Sequence, residues 1–224
     1  MSIIFDRVEP YGFWRQRDPE PIEYTEEYER KQSTTEDMSW LRLGFFLGST
    51  ECCLKDKYRD YSNWRVCDVG CGNGTFKREA SKVFGTVCGY DIVGDSISKE
   101  ELYKTRWNAV FLTDVLEHFQ DINDLFKINT DLIYLSFPEC PEVSNWEELK
   151  AWRHFKPNEH LWMLNCKGVN RWLIDNKFTP LSPCSGYPED VIRRNKDVEH
   201  NIATTVAVNN DCLHIINKFK ELSR

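Results

Sequence analysis

The sequence predicts an α/β fold: a doubly wound, mostly parallel sheet flanked by helices and preceded by an N-terminal arm. Three observations predict it. From residue 64 onward, short apolar runs alternate with polar, helix-like segments, the order that a parallel sheet covered on both faces requires. The first run ends in Asp68-Val-Gly70-Cys-Gly72-Asn-Gly74, placing glycines where a strand must turn tightly into a helix. Two later runs end in Asp91 and Asp114. Polar chemistry therefore collects at the carboxyl ends of strands, where such sheets bind ligands.

The elements follow in order. Residues 1–33 are polar, proline-dotted and tyrosine-rich. They read as an arm that packs on the domain, because disordered tails are poor in aromatics. Tyr24 and Tyr28, with Lys31, are candidates for a lid over the ligand. Thr34-Thr35-Glu36-Asp37 has the look of a helix start, and Trp40 to Leu47 shows an apolar face at helical spacing. Residues 48–63 read as a connector. Strands are expected at 64–69, 86–90, 108–113 and 132–137, and helices at 75–83, 122–127, 145–153 and 167–176. Residues 95–105 read as helical or irregular. Residues 178–184 and the Thr- and Val-rich stretch 201–209 read as further strands, and 213–222 as a short helix or a last strand. The chain divides into an arm and helix over 1–50 and a ligand-binding domain over 51–224.

Composition narrows the function classes. The net charge of −7 and scattered Lys and Arg argue against a phosphate backbone as partner, so no nucleic acid is expected. Nine cysteines, several within apolar runs and none in a CxxC pair, are the pattern of reduced thiols in a cytoplasmic protein. Neither a signal peptide nor a membrane span is expected. An aromatic share of 13% with eight Trp implies a pocket with ring walls.

The glycine turn separates ligand types. A dinucleotide site has a GxGxxG spacing, which would need glycine at position 75, where Thr75 stands. Asp68, two residues before Gly70, would repel pyrophosphate and attract an ammonium group. Asp91, 17 residues after Gly74, suits a carboxylate that accepts from ribose hydroxyls. Together with Asp114 these make a negative-walled cleft fitted to an adenosine, an amino-acid head and a sulfonium. Cys67 and Cys71 would need a third cysteine at Gly74 to hold an iron–sulfur cluster, so that reading is set aside.

Those residues resemble the class I S-adenosylmethionine-dependent methyltransferases, of the small-molecule type that includes ubiquinone-biosynthesis O-methyltransferases and sugar methyltransferases. The resemblance rests on the glycine turn, on Gly89-Tyr-Asp91 and on Asp114-Val-Leu-Glu-His118, and covers about residues 64–180. It implies a Rossmann-like sheet with S-adenosylmethionine as cofactor. The implied cofactor-binding residues are Asp68, Gly70, Gly72, Asn73, Gly74, Asp91, Ile92, Asp114, Val115 and Leu116. It departs from the family in one respect: the short distance between Asp91 and Asn108 leaves the usual third strand shortened or absent.

The acceptor side rests on histidines. Methyl transfer is an in-line displacement that the enzyme mainly aligns, and a hydroxyl acceptor gains from a base. His118, His154 and His160 are the candidate catalytic residues. Trp152, Arg153 and Glu159, which share a polar loop with two of them, are candidate substrate contacts, as are Tyr24 and Tyr28. His154, Glu159 and His160 could supply metal ligands with His118, but their spacing matches no standard metal motif, so no metal is expected. The expected function is transfer of a methyl group to a small-molecule acceptor at oxygen. A non-catalytic binding module of the same fold is the alternative, and a nicotinamide-dependent oxidoreductase is disfavoured by Thr75.

Overall fold

Nine consecutive residues with no exposed member, Thr130–Pro138, form the spine of the molecule. A strand buried on both faces needs layers above and below it, and the computed structural model shows both. It describes residues 3–22, 38–94, 96–143, 145–182 and 202–217. In chain order the elements are β1 (Ile4–Val8), β2 (Phe13–Arg17), α1 (Ser39–Cys53), β3 (Arg65–Val69), α2 (Thr75–Ala80), β4 (Thr86–Tyr90), α3 (Lys99–Lys104), β5 (Trp107–Thr113), β6 (Thr130–Pro138), α4 (Trp146–Ala151), β7 (Trp162–Met163), α5 (Cys166–Asp175), β8 (Phe178–Pro180) and β9 (Ile202–Asn209).

Six strands make the main sheet, in the order β4-β3-β5-β6-β9-β8. The first three pairings are parallel, and β9 runs antiparallel to both β6 and β8. Residues alternate between the two faces because side chains of a strand have period two. Val110, Leu112, Ile133 and Leu135 join one core with Val169, Trp172 and Leu173 of α5 and Leu102 of α3. Ala109, Phe111, Leu132 and Tyr134 join the other with Leu43 and Phe46 of α1 and Phe76 and Ala80 of α2. Each Val, Leu, Ile or Phe among these contributes about 1.5–3 kcal/mol when fully buried. The mostly parallel, doubly wound architecture is the one expected from the alternation. Among the described residues, β4 is an edge strand, and the chain between β4 and β5 holds α3 and no strand.

The described N-terminal segment, residues 3–22, forms a β-hairpin. β1 and β2 pair antiparallel, and β2 pairs with β7 to make a second sheet of three strands. Asn165 joins this hairpin to α5: its side-chain oxygen accepts from the Gly168 amide at 2.7 Å, and its amide donates to the Gly12 carbonyl at 3.1 Å. That one residue caps the helix and seats the hairpin turn.

Other expectations shift at their edges. α1 continues to Cys53, into the segment read as a connector, and α2 stops at Ala80. Residues Ile122–Lys127 form a 3-10 helix. The strand expected over 178–184 ends at Pro180 within the described residues, and 3-10 geometry covers Asn210–Ile215. Among the described residues no helix is long and apolar enough to cross a membrane. Their eight cysteines are all free thiols.

Candidate active site

Strand order places the cleft. The chain passes from β3 to β4 on one side and then returns to β5 on the other, so the loops after β3 and β5 diverge at the switch point. Gly70 opens the first loop with φ of 74°, a conformation that side chains other than glycine adopt at a cost. A Cβ on Gly70 would lie 2.3 Å from a methyl of Val115, the second residue after β5. The two loops therefore touch only because Gly70 has no side chain. Gly72 also has positive φ, at 45°, and nothing lies within 4 Å of where its Cβ would stand. That face of the turn is open to a ligand.

Three carboxylates border this turn. Asp91, just after β4, accepts from the Gly72 amide at 2.8 Å and from the Val93 amide at 3.2 Å. It holds the loop in shape while each oxygen keeps a further lone pair. Asp68, the penultimate residue of β3, is 1% exposed, and neither of its oxygens has a hydrogen-bond partner. Burial pushes its carboxyl up to about 7, against the opposing charge of Arg42. Asp114, just after β5, has left-handed backbone at φ 56° and receives Arg42 Nη2 at 2.6 Å. Asn73 turns its side chain inward on the loop, accepting from the Thr75 amide and hydroxyl. Ile92 is 68% exposed, Val115 lies against Gly70, and Leu116 is fully buried.

A second polar group stands beyond β5. Glu117 and His118 lie in a 3-10 turn, and His160 precedes β7. One donor atom from each falls within 4.8 Å of the others. The two imidazoles meet edge to face with centroids 5.0 Å apart. Backbone ties hold the group: the Leu161 amide donates to the Glu117 carbonyl at 2.8 Å, and the Trp162 indole donates to the Phe119 carbonyl at 2.8 Å. The hairpin adds a reciprocal pair, in which the Gln16 amide donates to Asn158 Oδ1 and the Asn158 backbone donates to Gln16 Oε1, each at 2.6 Å. Arg15 stacks over the Trp162 ring at 5.1 Å.

Burial sets the charge states here. It lowers the His118 imidazole, against Glu159 and Asp114, and lowers His160 to about 4, with His118 adding to the effect. Both rings are neutral at pH 7 and keep a lone pair. Burial, reinforced by the charge of Asp114, raises the Glu117 carboxyl well above the usual range.

The histidine-rich loop is thus only partly drawn into the site. His118 and His160 meet. His154 presents its backbone carbonyl to His160 Nδ1 at 2.9 Å, while its own ring accepts from Arg153 Nε at 3.1 Å and packs against Trp152. Glu159 pairs with Lys156 at 3.0 Å and stands 3.8 Å from His160 Nε2. Tyr24, Tyr28, Lys31 and the helix start at Thr34–Asp37 lie outside the described residues.

Two residues of the site escaped the sequence reading. Arg42 reaches Asp114 from α1, 72 positions away, and nothing in its neighbourhood marks it among 29 basic residues. Glu117 sits inside the Asp114–His118 motif, and its place just past an apolar strand run, next to a candidate histidine, is the signal that could have found it.

The turn fits the cofactor that the sequence implies. It combines an open glycine face, a carboxylate at the end of β4 and an orphaned buried carboxylate suited to an ammonium group. Comparison with known proteins agrees. A family model described as a methyltransferase domain matches residues 13–182. A SAM-dependent methyltransferase from Archaeoglobus fulgidus is similar over 84% of this chain and 100% of its own, at 14% identity and a TM-score of 0.52. One from Aquifex aeolicus is similar over 83% and 98%, at 13% identity and 0.51. A magnesium protoporphyrin IX methyltransferase from Synechocystis, with bound SAH, is similar over 85% and 90%, at 14% identity and 0.50. Identities this low show a shared fold. No curated protein sequence matches the chain.

Proposed function

The chain belongs to the methyltransferase-domain family, whose methyl donor is S-adenosylmethionine, and from that premise we propose that it methylates an oxygen atom of a small-molecule acceptor. The observation that carries this reading is the pairing of two sites at neighbouring strand ends. One is a carboxylate-lined glycine turn at β3 and β4; the other is the buried Glu117–His118–His160 group just past β5.

On the donor side, Asp91 would receive the ribose hydroxyls and Asp68 the ammonium group. Gly70, Gly72 and Gly74 leave the backbone room to approach, and Val115 and Leu116 supply apolar wall. Bound there, S-adenosylmethionine supplies an electrophilic methyl group on a sulfonium sulfur. Arg42 keeps Asp114 paired at the cleft edge and so moderates the negative field of the carboxylates there.

On the acceptor side, neutral His118 and His160 offer the lone pairs that an acceptor hydroxyl needs before it attacks. His154 acts through its carbonyl, which orients His160. Trp152, Arg153 and Glu159 border the same loop and would meet the rest of the acceptor. A module that only bound the cofactor would have no use for a carboxylate and two imidazoles buried together, which is why the catalytic reading is preferred.

Calorimetric titration with S-adenosylmethionine and S-adenosylhomocysteine tests the donor half, and binding of both at one site per chain is expected. A screen of hydroxyl-, amine- and carbon-acid acceptors with labelled donor tests the oxygen assignment. Transfer confined to nitrogen or carbon would refute it.

A further inference from the structure

We propose that Glu117, His118 and His160 form a binding site for one divalent first-row transition cation on the acceptor side of the cleft. One donor atom from each lies within 4.8 Å of the others. Donors about 2.0–2.1 Å from a tetrahedral ion stand roughly 3.3 Å apart. The widest separation must therefore close by up to about 1.5 Å, while His118 Nε2 and Glu117 Oε1 already stand 3.9 Å apart.

Two further observations point to a ligand there. Glu117 is 2% exposed, and neither oxygen of its carboxylate has a hydrogen-bond partner. A buried carboxyl with no hydrogen-bond partner is costly, and the guanidinium in the neighbourhood, Arg42, is engaged with Asp114 at 2.6 Å. His160 Nδ1 meets the His154 carbonyl at 2.9 Å. That bond places the ring proton on Nδ1 and leaves the lone pair on Nε2, the arrangement that orients histidine ligands.

The donor set selects the ion. Two imidazoles and one carboxylate suit zinc, manganese, iron or cobalt, whereas calcium and magnesium prefer oxygen alone. Three protein donors leave at least one coordination position open. An acceptor hydroxyl bound there would be polarised and would release its proton to solvent more readily; with the ion in place this replaces direct proton acceptance by His118 and His160, whose lone pairs then hold the ion. That role rests on the methyltransferase reading above; the binding itself does not. The absence of a linear motif, which led the sequence to predict no metal, reflects a site assembled from two loops more than 40 residues apart.

The test is made on the whole chain stripped with a chelator. Cobalt(II) chloride is titrated in and followed by visible absorption, and zinc chloride by calorimetry. One ion per chain is expected, with Glu117→Gln and His160→Gln each weakening binding by about 100-fold while affinity for S-adenosylhomocysteine is unchanged. A wild-type chain that takes up neither ion would overturn the proposal without any variant. So would a titration that both substitutions leave unaltered. If cobalt binds and S-adenosylhomocysteine does not, the cation site stands and the methyltransferase reading falls; the reverse result removes the cation site alone.

Discussion

The two halves of the cleft are built differently. The donor half is local: the Gly72 amide and Asp91 that shape it are 19 residues apart, and one strand–turn–helix–strand unit carries it. The acceptor half is assembled from distant chain. Gln16 and Asn158 meet across 142 residues, Arg15 and Gln120 across 105, and Trp162 and Phe119 across 43. A common cofactor is met by a compact unit that resists change. A particular acceptor is met by loops pinned from elsewhere, which can be altered without disturbing the donor site.

The largest expected effect probes the donor half through pH. Asp68 has an ordinary value of 3.8 and is pushed up to about 7 in the folded chain. Between those values the folded form holds a proton that the unfolded form has lost. Stability of the cofactor-free chain therefore falls as pH rises from about 4 to 7 and levels off above. The full change is up to about 4 kcal/mol, at about 1.4 kcal/mol per pH unit. Denaturant unfolding across that range should show this component disappear in Asp68→Asn; an identical slope in the variant would refute it.

Next comes the contact between the halves. Gly70→Ala meets Val115 and holds a strained φ, so a loss of about 3 kcal/mol is expected. Adding Val115→Ala should return the steric part and leave the backbone part. If the second substitution gives no recovery, the loops do not touch as described.

A third prediction separates the halves functionally. His118→Ala should lower turnover about 100-fold and leave S-adenosylhomocysteine affinity within two- to threefold, judged by calorimetry. A matching fall in both would mean that the halves are one site. The smallest effect belongs to the pinning contact. Gln16→Ala leaves the Asn158 amide without its acceptor and should cost about 1–2 kcal/mol of stability, with the acceptor KM rising while cofactor affinity holds. A cofactor affinity that tracked the loss would erase the distinction.

The same difference explains what the sequence made legible. The donor half could be read because its residues are consecutive: a glycine turn, then acids at successive strand ends, each bounded by the apolar run before it. The acceptor half could be read only as candidates. His118, His154 and His160 were visible, but which two would meet depends on where β7 is held, and that depends on a hairpin the sequence concealed. In β2 the buried positions are Phe13 and Gln16, three residues apart and so on opposite faces of the strand, with half-buried Trp14 and exposed Arg15 between them. A buried Gln breaks the apolar alternation by which strands are recognised, and it is tolerated because Asn158 satisfies it. Arg42 escaped for a similar reason: its helix was legible from its apolar face, whereas its function lies in a polar tip that reaches across the fold.

The Gln16–Asn158 pair also orders events in time. During synthesis the hairpin residues leave the ribosome well before their partners. At roughly 5–20 residues per second, the 142 positions between them represent about 7–28 s. Over that interval the glycine turn and Asp91, joined within 19 residues, can close on local contacts, while β2 waits with an unpaired edge. The acceptor side therefore becomes structured after the glycine turn of the donor side, and the edge of β2 that β7 later covers is open to mispairing in the nascent chain.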